Sequence, residues 1–432
     1  MERIRSFISA HRTEVLIFTG ALTIRALYVF AVQLLSGTHG FISHADAEFF
    51  YYRSAVNLVE HGVFSVAPSA PYFPDGYHTP LYSLLVAPFI FLRIPLLGIV
   101  LLQSIIAAAT VVLVYITSLE ITKSNKLSIA VAGIAALEPM SIYWNGLIMS
   151  DTIFAFLMSC AVLLLIRQRF FASSFALGLA ALTRPIALYF APFFFCMMVY
   201  QMYRSHSTGR HIARDLSLGI VIFSLTIVPW FVRNKIVFNE FAFTSAGWYE
   251  LYVAPMAEFA QARQLQVPEI GSELTPEQSL LRFDFKYSPQ YKAAFMSVVA
   301  HDPFGYFVTH VERSIYSFFS NRYDYLVHVV LQSQAPSLYT SLTFMLPIVL
   351  FLGSAFWIAI YFLGLCAYGD ASLRPWWFFF WSLIGVNALL SGGINPGGSD
   401  MSRYSLGFYA FIFMLAGVGL MQIAKWRVWG RG

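Results

Sequence analysis

Charge is scarce in this chain. Only 11% of its 432 residues are Asp, Glu, Lys or Arg, against 58% that are apolar. Soluble domains carry roughly a quarter charged residues, so this composition cannot make a globule solvated on all sides. The net charge is small, +5, and its basic residues are scattered over short connectors. That scatter excludes a nucleic-acid-binding stripe and suits anionic membrane headgroups instead. Cysteine is scarcer still: Cys160 and Cys196 sit in apolar runs and Cys366 lies just past one. An odd, embedded set of three excludes a disulfide framework and offers no metal-site spacing. No repeat relates the two halves, which argues against a transporter built from inverted repeats. No cleavable signal is expected: the apolar stretch after MERIRSFISAHR runs for about 23 residues, beyond the roughly 7–15 of a signal core, and no clear small-residue cleavage site follows. It reads as an uncleaved first span.

Long apolar runs are what the chain has in abundance. Stretches long enough for roughly 30 Å of hydrocarbon occur near 13–35, 96–118, 128–146, 152–167, 171–184, 185–203, 213–232, 338–365, 375–391 and 404–424. The expected fold is therefore an all-α integral membrane bundle of about ten transmembrane helices. Of these, 171–184 is short and 128–146 carries Glu138 and Pro139. The segment 80–92, PLYSLLVAPFIFL, is too short to cross, holds two prolines and reads as interfacial. Aromatic residues make up 17%, as expected if rings line both interfaces. With the N-terminus inside, the segments 1–12, 119–127, 167–171, 203–214, 366–374 and 425–432 collect most short-loop Lys and Arg, so both termini are expected in the cytoplasm. Two long segments, 36–95 and 233–337, then fall outside. The chain divides into a module 1–232 containing the first of these loops, an external segment 233–337, and C-terminal helices 338–432. Loops this long are usually functional, and within the second AFMSVVAHDPFGYFVTHVERSIYSFF has the pattern of an amphipathic helix.

Chemistry concentrates in SHADAEFFYYRSAVNLVEHGVFSVAPSAPYFPDGYHTPLYSLLVAP, after the first run. Asp46 and Glu48 open an amphipathic helix that Gly62 ends. Two acids at a helix start are favoured by the helix dipole alone, and equally a carboxylate there can act as general base on an acceptor hydroxyl. Asp151, in MSD at the head of a run, suits a helix N-cap. His78, in Tyr77-His78-Thr79-Pro80, is either a structural loop histidine or a phosphate contact. Arg184, Arg233 and Arg403 stand at outer ends of apolar runs. Arginine at membrane depth is costly and tends to face a cavity or partner; otherwise it snorkels to the interface. Guanidinium binds phosphate bidentately, and charge placed where a phosphate departs stabilises it. Arg25 lies in the middle of the first run, with Glu138 as a candidate partner.

The pattern D-x-x-x-Y…A-x-N-L-x-x-x-G-x-F-S with the following T-P-L-Y resembles the GT-C superfamily of glycosyltransferases that use polyprenyl-phosphate sugars. That superfamily includes protein O-mannosyltransferases and lipid A aminoarabinose transferases. The resemblance continues in order through LEPMSIYWNGLIMSDTIFAF, GLAALTRPIALYFAP, VPWFVRNKIVFNEFAFTSAGWYELY and RYSLGFYAF. It implies an inverting transfer at the outer face of a bacterial or archaeal plasma membrane. Asp46 matches the catalytic base and Asp151 the second acid, which helps to place the acceptor or, in some branches, a metal. Glu48 departs from the commoner arrangement, in which the second acid directly follows the first. His78 stands where many relatives carry Lys or Arg. Arg184, Arg233 and Arg403 are the expected donor-phosphate ligands. The expected partners are a polyprenyl-phosphate-linked sugar and a lipid, glycan or protein acceptor, with no obligatory cofactor and Asp151 as the one candidate ligand for a divalent metal. Two other readings share this topology: a lipid or glycan transporter without chemistry, and a glycan ligase or polymerase using pyrophosphate-linked donors.

Overall fold

The computed structural model describes residues 11–272, 274, 276–319, 323, 337, 339–340, 343–394 and 401–429. Among these residues all regular structure is helical, as the apolar periodicity predicts. Six helical stretches are long and apolar enough to cross a membrane: Arg12–Ile42, Leu96–Thr122, Pro185–Arg204, Gly209–Phe238, Pro347–Gly369 and Gly407–Ala424. A seventh is made if the bent pair Asn125–Leu137 and Pro139–Asn145 counts as one. The result is an all-α integral membrane fold, with fewer full-length spans than the ten runs suggested.

The shortfall has physical causes. Glu138 and Pro139 break their run with a bend of 53°: Glu138 turns extended and its carboxylate accepts the Ser141 N–H at 2.5 Å, while Pro139 begins the next helix. The runs 152–167 and 171–184 become helices of 16 and 14 residues, about 24 and 21 Å at 1.5 Å per residue, below the thickness of the hydrocarbon. The run 375–391 forms the 21-residue helix Arg374–Ile394.

The helices that matter here are α1 (Arg12–Ser36), α2 (Arg53–His61), α3 (Leu81–Phe91), α4 (Leu96–Thr122), α5 (Asn125–Leu137), α6 (Pro139–Asn145), α7 (Asp151–Ile166) and α8 (Phe170–Thr183). They are followed by α9 (Ala191–Arg204), α10 (Gly209–Phe238), α11 (Ala246–Leu251), α12 (Ala257–Ala262), α13 (Ser288–Val299) and α14 (Pro303–Phe319). The last are α15 (Leu346–Cys366), α16 (Arg374–Ile394) and α17 (Met401–Trp429). One large core cluster runs through the bundle, with Trp144, Tyr82, Phe190, Phe380 and Phe408 fully buried in it. The last helix, α17, packs against α5, α7 and α15, so the C-terminal helices close the bundle. Leu34, Leu35 and Phe351 remain exposed, as suits side chains facing lipid.

Although short, α7 and α8 run the full distance between the two ends of the bundle. Arg167, just past α7, contacts Glu120 near the end of α4 at 3.1 Å, whereas Asp151 and Arg184 meet at the opposite end. At that second end the two long connecting segments dock on each other. Ser245 N–H donates to Gly76 O at 3.0 Å, and the Thr244 hydroxyl donates to Tyr77 O at 2.5 Å. In the second segment the expected single amphipathic helix is divided into α13 and α14. Pro303 starts the latter and the Asp302 carboxylate caps it, accepting Gly305 N–H at 2.8 Å.

Candidate active site

In the first long segment the 3-10 helical turn Gly37–Ile42 leads to a π-helical turn, Asp46–Tyr52, before α2, and Gly62 ends that helix at φ 69°. Glycine is the usual residue for such a left-handed cap, and wide turns of the π type recur at functional sites. A cavity of about 290 Å³ lies where this segment, the second segment and the bundle meet. Its wall takes Asp46, Tyr51, Tyr77, His78 and Thr79 from the first segment and Thr244, Gly247, Glu250 and Leu251 from the second. From the bundle come Phe154, Arg184, Ile186, Tyr189, Asn387 and Ser391. The lining thus combines polar and apolar side chains.

Arg184 is placed by Pro185. A residue before proline is pushed to extended backbone, and Arg184, at φ −146° and ψ 126°, ends α8 and starts the short helical turn Pro185–Phe190. Its guanidinium pairs with Asp151 and stands 5.9 Å from the Phe154 ring. Asp151 is 1% exposed. It is not an N-cap: Ser150 holds that position without a side-chain cap bond and donates its hydroxyl to Tyr51 Oη at 2.8 Å. The Asp151 carboxylate therefore anchors Arg184, and Asp151 also borders a small cavity of about 60 Å³ whose lining includes Arg25 and Glu138. Arg25 donates to Ala136 O at 3.2 Å and to Ser141 Oγ at 3.3 Å.

His78 is oriented by Asp75, a residue the sequence reading did not single out. The Asp75 carboxylate lies 2.7 Å from His78 Nδ1 and accepts Tyr77 N–H at 2.8 Å. Its side chain is 2% exposed. The signal was local: in D-G-Y-H an Asp side chain can accept the backbone N–H two residues on, which fixes the ring that follows. Phe50 packs against the His78 ring at 4.6 Å between centroids.

Other candidates go elsewhere. Arg233, expected on the donor phosphate, does not line the cavity. It donates to Asp75 O at 2.7 Å and to Asn234 Oδ1 at 2.9 Å, among the rings of Trp230, Phe238 and Phe64. It braces the loop carrying Asp75 and His78. Glu48 also stays outside the lining and acts on Arg53: burial lowers that guanidinium from its ordinary value, and Glu48 opposes the shift. The Arg403 side chain lies outside the described residues. No group of three or more His, Cys, Asp or Glu placed to hold a metal ion occurs among the described residues, and the Asp151 carboxylate faces Arg184.

Tyr77 and Glu250 were also missed. The Tyr77 hydroxyl donates to the Glu250 carboxylate across the junction of the two segments. The two residues are 173 positions apart, so no local pattern announces the pair.

A profile of glycosyltransferase family 87 matches residues 77–287, a little under half of the chain. The match begins at Tyr77 and takes in His78, Asp151, Arg184, Arg233 and Glu250. GPI mannosyltransferase 1 of Kluyveromyces lactis is 25% identical over 234 residues, 54% of this chain and 54% of that protein. The chain is similar to glycosyltransferases. It spans about half the length of the curated relative it matches. With the apolar helices described above, both similarities support a membrane glycosyltransferase.

Proposed function

We propose that this chain is an inverting glycosyltransferase that moves a sugar from a polyprenyl-phosphate donor to an acceptor hydroxyl at the outer face of the membrane. The observation that carries this reading is the shared cavity. A carboxylate, Asp46, and two cation-forming groups, Arg184 and His78, line one space together with apolar side chains. Asp46 takes the proton of the acceptor hydroxyl as its oxygen bonds to the anomeric carbon. The bond from that carbon to the phosphate oxygen breaks, and the polyprenyl phosphate leaves as an anion. Arg184 and His78 stand where positive charge offsets the charge developing on that phosphate. Because Asp151 and Asp75 fix these two side chains, little reorientation is needed during the step.

Ile186, Tyr189, Leu251 and Leu390 add apolar surface to the cavity lining, chemistry that suits the first isoprene units of a lipid donor. The similarity to a mannosyltransferase makes polyprenyl-phosphate mannose the first donor to test. Purified protein with radiolabelled donor separates this reading from a transporter, because only a transferase yields a new glycosidic product. Asp46→Asn is expected to lower transfer by at least about 100-fold, in line with loss of a general base, while melting behaviour and donor binding stay near those of the parent. Near-parental turnover in that variant rules out Asp46 as the base.

A further inference from the structure

Glu250 belongs to the second connecting segment, yet it lines the same cavity as Asp46 and Arg184. Its position is fixed against the loop that carries Gly76 and Tyr77. Thr244 and Ser245 bind the backbone of Tyr77 and Gly76, and the Tyr77 hydroxyl donates to Glu250 itself. One helical turn earlier, a side chain added at Gly247 would meet nothing within 4 Å, so the wall beside Glu250 is open to a ligand. The carboxylate is only partly buried, and one of its oxygens takes the tyrosine hydrogen.

Asp46, Arg184 and His78 cover the proton and the phosphate of the proposed transfer. None of them distinguishes one sugar from another. Hydroxyl groups are what distinguish sugars, and an ionised carboxylate accepts hydrogen bonds from hydroxyls about twice as strongly as a neutral acceptor does. We infer that Glu250, oriented by Tyr77, is the specificity-determining residue that reads hydroxyl groups of the transferred sugar, an inference that rests on the glycosyltransferase reading above. A site built to bind a hydroxyl rejects the analogue lacking it, because the protein's own polar group is then left without its partner.

The test uses the full chain in lipid nanodiscs, with polyprenyl-phosphate mannose, glucose and arabinose supplied to the parent protein first. The best of these is then compared with its single-deoxy analogues. The parent is expected to use one deoxy analogue about 10- to 100-fold less well in kcat/KM, the range for a lost hydrogen bond to a charged group. In Glu250→Gln that discrimination is expected to fall to about threefold or less, with the loss for the full donor appearing mainly in KM. Tyr77→Phe, which removes only the orienting hydroxyl, is expected to lie between the two. Glu250→Asp serves in place of Glu250→Gln should the latter fail to fold, and is expected to weaken the same discrimination. A folded, active Glu250 variant with unchanged discrimination against every deoxy analogue overturns the inference. Failure of the parent protein to transfer any of the three sugars counts instead against the proposed function, so the two failures read out separately.

Discussion

Arg184 and Asp151 show what a residue can and cannot announce about itself. Each was legible alone: an arginine at the end of an apolar run, an acid at the head of another. Their pairing across 33 positions was not, since neither run's periodicity carries it. The pair is nearly enclosed, with side-chain exposures of 12% and 1%. Removing one partner of a buried pair leaves an uncompensated charge and costs about 3–5 kcal/mol. Arg184→Ala is therefore expected to destabilise by that order in detergent melting. Arg184→Ala combined with Asp151→Asn is expected to recover at least about half of the loss while remaining inactive. If the single variant melts with the parent, the pair is not the anchor described here. Arg233 gives the opposite lesson. Its position at an outer helix end signalled a partner, and that partner is the Asp75 carbonyl, which no sequence pattern identifies.

At the scale of elements, helix identity was written in the apolar runs, but length and breaks were set by single residues. Glu138-Pro139 and Asp302-Pro303 each divide what reads as one helix, by supplying a carboxylate cap and a residue that starts a new turn. Packing between helices depends on small residues, as is common where backbones approach closely within membranes. Gly178 of α8 meets α10 at Thr226, where an added Cβ would stand 2.7 Å from the threonine Cβ. Thr226 is β-branched and its hydroxyl already donates to Ile222 O at 2.8 Å, so it has little freedom to yield. Gly133 of α5 has open space at the same position. Gly178→Ala is expected to lower stability by about 1–3 kcal/mol as overpacking does, whereas Gly133→Ala is expected to be neutral or to gain up to about 1 kcal/mol from helix propensity. Thermal aggregation of the two variants side by side checks this, and equal melting would refute close packing of α8 on α10.

For the whole molecule, the decisive fact is that two segments far apart in sequence close over one end of the bundle. The runs and the distribution of Lys and Arg allowed both segments to share a side. They could not show contact, because hydrogen bonds between residue 76 or 77 and residues 244, 245 and 250 have no local signature. Contact imposes a topological condition: the chain must traverse the bundle an even number of times between Tyr77 and Thr244. Leu96–Thr122, Pro185–Arg204 and Gly209–Phe238 supply three passes and the bent α5–α6 pair a fourth. Hence α7 and α8 either both traverse or both turn back. The Arg167–Glu120 contact decides for traversal, since Glu120 lies at the far end of α4 from the cavity. Gln168, in the turn between α7 and α8, and Gly247, beside the cavity, are then expected on opposite faces of the membrane. Single cysteines placed at Gln168 and at Gly247, in a background lacking Cys160, Cys196 and Cys366, test this in sealed right-side-out vesicles. An impermeant maleimide is expected to label the Gly247 position from outside and the Gln168 position only after the vesicles are opened. Labelling of both from the same side would mean that the α7–α8 hairpin does not cross and that its turn lies at the same face as the cavity.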